Sequence, residues 1–181
     1  MIIGLSQRVL YHKNRAYDSL EHGWYTFLKD HTLYFIPNRI DQDFDKLSSY
    51  LDCLILTGGD DSSIRRTTEF KIASLMMQKK KPILGVCHGA FILTDVLGGQ
   101  IVPCDDHMDT EHNIIYHNKK FLVNSHHSQT IKKVHDTATV LATDEDGNCE
   151  AWIDKNLAGI VWHPERMEEP FIPYEILEFI N

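Results

Sequence analysis

The sequence predicts an α/β fold: an open, mostly parallel sheet flanked by helices on both faces, with a small antiparallel extension. Three observations carry this reading. From Ile2 to Gly99 short apolar runs alternate with amphipathic stretches, strand then helix four times over, which is the pattern of a doubly wound parallel sheet. After Gly99 the texture changes to short strand candidates separated by turns. The 181 residues, 43% apolar and 24% charged, are expected to form one domain spanning 1–181 with a substantial core.

The elements follow in order. Ile2–Leu5 opens as a strand. Leu20, Trp24, Phe27 and Leu28 recur at helical spacing and predict a helix over Tyr17–Lys29. Leu33–Ile36, stopped by Pro37, is the second strand, Phe44–Leu51 a helix, and Cys53–Thr57 a strand running into Gly58-Gly59. Phe70, Ala73, Leu75, Met76 and Met77 predict a helix over Glu69–Lys80, and Lys79-Lys80-Lys81 complement the dipole at its C-terminal end. Pro82–Val86 is a strand, and His88–Leu97 a helix ended by Gly98-Gly99. Gln100–Pro103, Ile114–His117, Phe121–Asn124, Thr139–Thr143 and Ala151–Ile153 are the short strands of the extension. Leu157–Trp162 returns to the parallel sheet, and Phe171–Ile180 closes the chain as a helix.

Charge and composition narrow the function. Eighteen Lys and Arg against 26 Asp and Glu leave a net charge of −8 with neutral histidine, which disfavours nucleic acid and anionic membrane surfaces as partners. The opening Met1–Leu5 is too short for an apolar targeting core and polar Ser6-Gln7-Arg8 ends it, so no signal peptide is expected. No run approaches the ~18 apolar residues of a membrane span. The four cysteines form no C-x-x-C pair, and a chain of this length does not need disulfide staples. A reducing cytoplasm is therefore the expected compartment, with a thiol available as a nucleophile.

The stretch Pro82-Ile-Leu-Gly-Val-Cys87-His-Gly-Ala is the most informative. A strand ends in Gly85-x-Cys87-x-Gly89 and a helix begins at once, the spacing of a nucleophile elbow. Glycines on either side let the chain reverse without Cβ clashes and lift the thiol near the positive end of the following helix. The His88 N–H then faces an oxyanion formed beside Cys87. A buried structural cysteine between two glycines is the plainer alternative.

In Trp162-His163-Pro-Glu165, residues two apart at a strand's carboxyl end point to the same side. His163 can take the thiol proton while Glu165 orients its imidazole. A solvated strand end explains this stretch alone, but an upstream cysteine elbow makes it the rest of a triad. Leu56-Thr-Gly58-Gly59-Asp60 is an ordinary tight turn, or a second source of an oxyanion-binding N–H on the same edge.

These three stretches, in this order, resemble the class I glutamine amidotransferase family, a flavodoxin-like fold, and within it the γ-glutamyl hydrolase branch that includes γ-glutamyl-γ-aminobutyrate hydrolases. The segment Asn124-Ser125-His126-His127-Ser128-Gln129 resembles that branch's Asn-Ser-x-His-x-Gln. The resemblance implies Cys87 as nucleophile, His163 as general base and later acid, and Glu165 as orienting carboxylate. It assigns the main-chain N–H groups of Gly59 and His88 to the oxyanion hole, and Asn124, Ser125 and His127 to the glutamyl pocket. It implies no cofactor.

Two departures matter. Phe91 stands where many members carry a glutamine, which puts free glutamine as substrate in question. The short length makes a fused synthetase domain unexpected and leaves room for a separate synthetase partner. The opening Ile3-Gly-Leu-Ser-Gln-Arg8 and the segment Trp24–Leu28 are similar to a narrower group, the γ-glutamyl-CDP-amidate hydrolases of capsular phosphoramidate synthesis. Arg8 follows the first strand directly, with Lys13 and Arg15 in the same expected loop, at the edge where open α/β sheets bind ligands. An anionic, nucleotide-linked substrate fits three cations there, and a solvated loop is the alternative.

His107 and His112, then His126-His127, lie near Asp105, Asp106, Asp109 and Glu111. Zinc sites legible in a sequence show tighter spacing, so no metal is expected, and Cys104–Asn113 is read as a substrate-covering loop. Cys53, Cys104 and Cys149 read as core or incidental thiols. The sequence thus points to a cysteine amidohydrolase of a small γ-glutamyl amide. The alternatives are a glutaminase subunit delivering ammonia to a synthetase partner and a non-catalytic binding module.

Overall fold

The computed structural model describes residues 1–105 and 107–180. Strand β1 (Ile2–Ser6) leads into a hairpin of β2 (Arg8–His12) and β3 (Arg15–Ser19), then a short helix α1 (Gly23–Phe27). β4 (Thr32–Ile36), α2 (Phe44–Tyr50), β5 (Cys53–Leu56), α3 (Ser63–Gln78), β6 (Ile83–Val86) and α4 (His88–Val96) complete the alternating half. The extension comprises β7 (Gln100–Pro103), β8 (Thr110–Tyr116), β9 (Lys119–Ser125), β10 (Gln129–Lys133), β11 (Thr139–Thr143) and β12 (Cys149–Asp154). β13 (Leu157–Ile160) is followed by a 3-10 turn over Pro164–Arg166 and by α5 (Tyr174–Leu177).

The main sheet runs β4-β1-β5-β6-β13-β12-β11-β8-β9, with β10 against β12 and β7. Strands β4 through β13 in that order are parallel, and from β13 outward every pairing is antiparallel. The α/β fold with a parallel core and an antiparallel extension is the one the sequence predicts. Every residue of β5, β6 and β13 is buried. Successive strand side chains face opposite sides, so the centre of the sheet is covered on both faces. The parallel strands send their carboxyl ends to one edge, delivering Arg8, Gly58-Gly59, Cys87 and His163 to the same end of the molecule.

The departures have local causes. The helix expected over Tyr17–Lys29 shrinks to Gly23–Phe27, because Arg15–Ser19 pairs with β2. Lys13 and Asn14 both adopt positive φ, 47° and 60°, making the tight two-residue turn that a right-twisted hairpin favours. Helix α3 starts at Ser63 rather than Glu69, with the Ser62 side chain accepting from the Arg65 N–H. Its first turns bury Arg65, Thr68 and Glu69, a polar inward face that hides the helical period. Pro170 and Pro173 confine the closing helix to Tyr174–Leu177. The covering loop expected from Cys104 is shorter than read, since Thr110–Asn113 already belong to β8. Among the described residues, no helix is long and apolar enough to cross a membrane.

Candidate active site

Cys87 lies between β6 and α4 at φ 50° and ψ −108°, a conformation that a non-glycine residue holds only when its surroundings enforce it. Its N–H donates to Ile160 O at 2.8 Å, tying the turn to β13. A Cβ at Gly89 would stand 2.1 Å from Leu56 O, so the flanking glycine of the elbow is required by close approach.

His163 is buried, and its Nδ1 lies 2.7 Å from Glu165 Oε1. Burial works against charging the imidazole, but hydrogen bonds to Cys87 and Glu165 and their charges outweigh it and raise its pKa to about 9. The ring therefore favours the protonated state at neutral pH, with Glu165 accepting from Nδ1. Asn124 fixes the His163 backbone from both sides: its Nδ2 donates to His163 O and its Oδ1 accepts from the His163 N–H, both at 2.8 Å.

A second buried network sets the opposite wall. The Arg65 guanidinium donates to Thr57 O, to Asp60 O at 3.0 Å and to Glu69 Oε1 at 2.9 Å. Glu69 also accepts from Ser6 Oγ at 2.7 Å and lies 3.3 Å from His88 Nε2. Burial opposes the Glu69 charge, yet His88, Arg65 and Ser6 hold its carboxyl below the usual carboxylate range. Both fully buried, Arg65 and Glu69 brace the Thr57–Asp60 turn that carries Gly59 and anchor the first residue of α4. Sequence reasoning missed both, because an i,i+4 pair of opposite charges ordinarily marks a solvated face.

The open cleft between these walls is lined by Cys87, His88, Gly59, Arg8, Phe91 and His127, among others. Residues 16–179 match the family model described as glutamine amidotransferase class-I. The chain belongs to the class I glutamine amidotransferase family. It is 31% identical to the γ-glutamyl-CDP-amidate hydrolase of Campylobacter jejuni, over 92% of this chain and 90% of that one. It is 26% identical to a putative glutamine amidotransferase-like protein of Lactococcus lactis, over 75% of each. Among solved structures, a glutamine amidotransferase from Thermotoga maritima superposes with a TM-score of 0.69 at 14% identity, over 91% of this chain and 76% of that one.

In this class I glutamine amidotransferase chain, the candidate residues divide. Cys87, His163, Gly59 and His88 meet at the cleft, with Glu165 behind His163. Arg8 lines the cleft, whereas Lys13 and Arg15 are exposed at the hairpin turn. His127 lines the cleft, Asn124 clamps His163, and the buried Ser125 hydroxyl donates to His107 O at 2.7 Å and lies 3.0 Å from His127 Nε2. Asp109 pairs with His126 at 2.8 Å, Asp105 and Glu111 are exposed, and Asp106 lies outside the described residues. His107, His112 and His127 converge with Glu150, a residue absent from the sequence-based grouping.

Proposed function

We propose that the protein is a cysteine amidohydrolase that releases glutamate from a γ-glutamyl amide through a γ-glutamyl thioester at Cys87. The observation that carries this is the alignment of a strained Cys87, His163 and Glu165 at the shared carboxyl edge of the sheet. With the proton resting on His163, Cys87 Sγ attacks the γ-carbonyl carbon as thiolate. The resulting oxyanion accepts from the N–H groups of Gly59 and His88. His163 passes its proton to the amide nitrogen, the C–N bond breaks and the amine departs. The now neutral His163 takes a proton from water, whose oxygen attacks the thioester. The C–S bond breaks, releasing glutamate and restoring thiolate and imidazolium.

A nucleotide-linked leaving group is the reading favoured within this class. Arg8 borders Gly59, and its buried Nε has no hydrogen-bond partner among the described residues. Arg166, the other arginine of the cleft, is engaged by Glu21 in a bidentate pair. Arg8 lines the cleft without a carboxylate partner among the described residues, which supports it as a contact for a phosphate. The Campylobacter jejuni relative's γ-glutamyl-CDP-amidate substrate has that character. Phe91 lines the cleft and its side chain offers no hydrogen bond to a glutamyl group, which disfavours free glutamine as the substrate. We also place the protein in the cytoplasm, as a single domain over residues 1–181.

Glutamate release from a panel of γ-glutamyl amides, one of them linked to a cytidine diphosphate, tests the proposal. Fast turnover of the nucleotide-linked member by the lone protein supports it. Turnover of glutamine alone, rising sharply with an added synthetase, would instead identify an ammonia-delivering subunit.

A further inference from the structure

His107, His112, His127 and Glu150 come from four separate stretches: the segment after β7, strand β8, the chain following β9, and strand β12. One ligand-type atom from each lies within 4.8 Å of all the others. The His107 ring meets those of His112 and His127 edge-on, with centroids 4.5 and 4.9 Å apart.

Glu150 is 0% exposed, and neither carboxylate oxygen accepts a hydrogen bond among the described residues. His112 Nε2 stands 3.5 Å from Oε2, longer than a good hydrogen bond, and neither nitrogen of that ring has a hydrogen-bond partner there. A carboxylate removed from water with a single long ion-pair contact, to His112, is costly to bury, and a cation among three imidazoles would relieve that cost.

The His127 ring is oriented accordingly. Its Nδ1 lies 2.7 Å from Gln129 O, a carbonyl that can only accept, so the proton sits on Nδ1; Nε2 keeps its lone pair 3.0 Å from Ser125 Oγ, whose own proton goes to His107 O. A ring N–H donated to a backbone carbonyl is the usual outer support of a metal-bound histidine.

We propose that His107, His112, His127 and Glu150 form a closed structural site for a zinc-class divalent cation. Three imidazoles and one carboxylate suit zinc, whereas calcium and magnesium take oxygen ligands. In a tetrahedral site with zinc bonds of about 2.0–2.1 Å, ligand atoms stand about 3.4 Å apart. The His112–Glu150 separation of 3.5 Å already matches, and the other ligand atoms, all within 4.8 Å of one another, would have to draw in by up to about 1.4 Å. With four protein ligands no position stays open for catalysis. The ion would pin the segment before β8 to β12, and with it the cleft wall that carries Met108 and His127. Its arguments use neither Cys87 nor a substrate, although its ligand His127 also lines the cleft beside Cys87.

The test is titration of chelator-stripped full-length protein with Zn²⁺ against a competing chromophoric chelator, together with the visible spectrum of the Co²⁺-loaded protein. The expected result is one equivalent bound tightly, a melting temperature that rises with Zn²⁺, and a tetrahedral Co²⁺ spectrum without a thiolate charge-transfer band. Glu150→Gln and His112→Ala should each weaken binding by more than the roughly 10- to 100-fold cost of losing an outer partner. Should either variant fail to fold, the wild-type Co²⁺ spectrum and stoichiometry decide alone. Absence of stoichiometric binding overturns the proposal, as does affinity unchanged in both folded variants. A thiolate band that disappears in Cys87→Ala also overturns it, by putting the metal on the nucleophile.

Discussion

Gly58→Ala places a methyl group against the His163 ring. The new Cβ would stand 2.3 Å from Cε1 and 3.2 Å from each ring nitrogen, whereas ordinary contact begins at 3.4 Å. Relief requires a displacement of about 1 Å. The Gly58 turn cannot easily supply it, because Arg65 holds the flanking carbonyls of Thr57 and Asp60. The ring must therefore move, away from the Glu165 oxygen that it meets at 2.7 Å and from Cys87. A misplacement of about 1 Å at a reacting group costs on the order of 100-fold, about 2.7 kcal/mol, in kcat/KM. Overpacking should lower stability by about 1–3 kcal/mol. Weaker bonds to Glu165 and Cys87 also leave burial to dominate, so the imidazole pKa should fall from about 9. The assay is glutamate release across pH, with circular dichroism and thermal unfolding to verify the fold. A folded variant with wild-type kcat/KM and an unmoved alkaline limb would refute the placement of His163 against Cys87.

Four further outcomes are expected. Cys87→Ala should abolish turnover with little change in melting temperature, and an electrophilic glutamine mimic should label Cys87 in the wild type. It should spare Cys53, whose thiol burial pushes up to about 12, and Cys149, also pushed up by burial, as peptide mapping would reveal. Asn124→Asp turns a donor at His163 O into an oxygen and leaves a buried carbonyl unsatisfied, at about 1–3 kcal/mol or roughly 5- to 150-fold in kcat with KM steady. A rise in KM with kcat intact would instead return Asn124 to the glutamyl pocket. Because folding raises the His163 pKa from 6.5 to about 9, its stabilising contribution is complete below about 6.5 and is lost as pH rises through about 9. kcat/KM should fall along the same alkaline limb, and Glu165→Gln should move that limb to lower pH. Arg8→Ala should reduce kcat/KM for a nucleotide-linked substrate by roughly 10- to 150-fold, the loss of a charge-assisted contact of about 1.5–3 kcal/mol. It should spare an uncharged γ-glutamyl alkylamide, and equal losses on both would move Arg8 out of the leaving-group site.

Features written in contiguous residues were legible in the sequence alone. A strand, a tight turn and a helix around Cys87 are a local pattern, because the glycines at 85 and 89 bracket the nucleophile within one reversal. His163 and Glu165 are legible for the same reason, being two residues apart. The alternation of apolar runs and amphipathic stretches determined the parallel half, since each element must bury one face. Tertiary structure decided what depends on pairing across the sheet. The β2–β3 hairpin was obscured because Leu20, Trp24 and Leu28 carry a helical period while the Lys13-Asn14 turn adopts φ values without glycine. Asn124 became the clamp of His163 only through tertiary packing that brings the end of β9 to the loop after β13, from the far side of the sheet order. Arg65 and Glu69 look like a solvated helical pair until burial turns them into the brace of the Gly59 turn. Glu150 joins three histidines from distant stretches through tertiary packing alone, since β11 lies between β12 and β8 in the sheet. Local order specifies which elements form and what they carry, whereas long-range packing selects which side chains meet. Those meetings turn an elbow with a histidine into a site with fixed geometry.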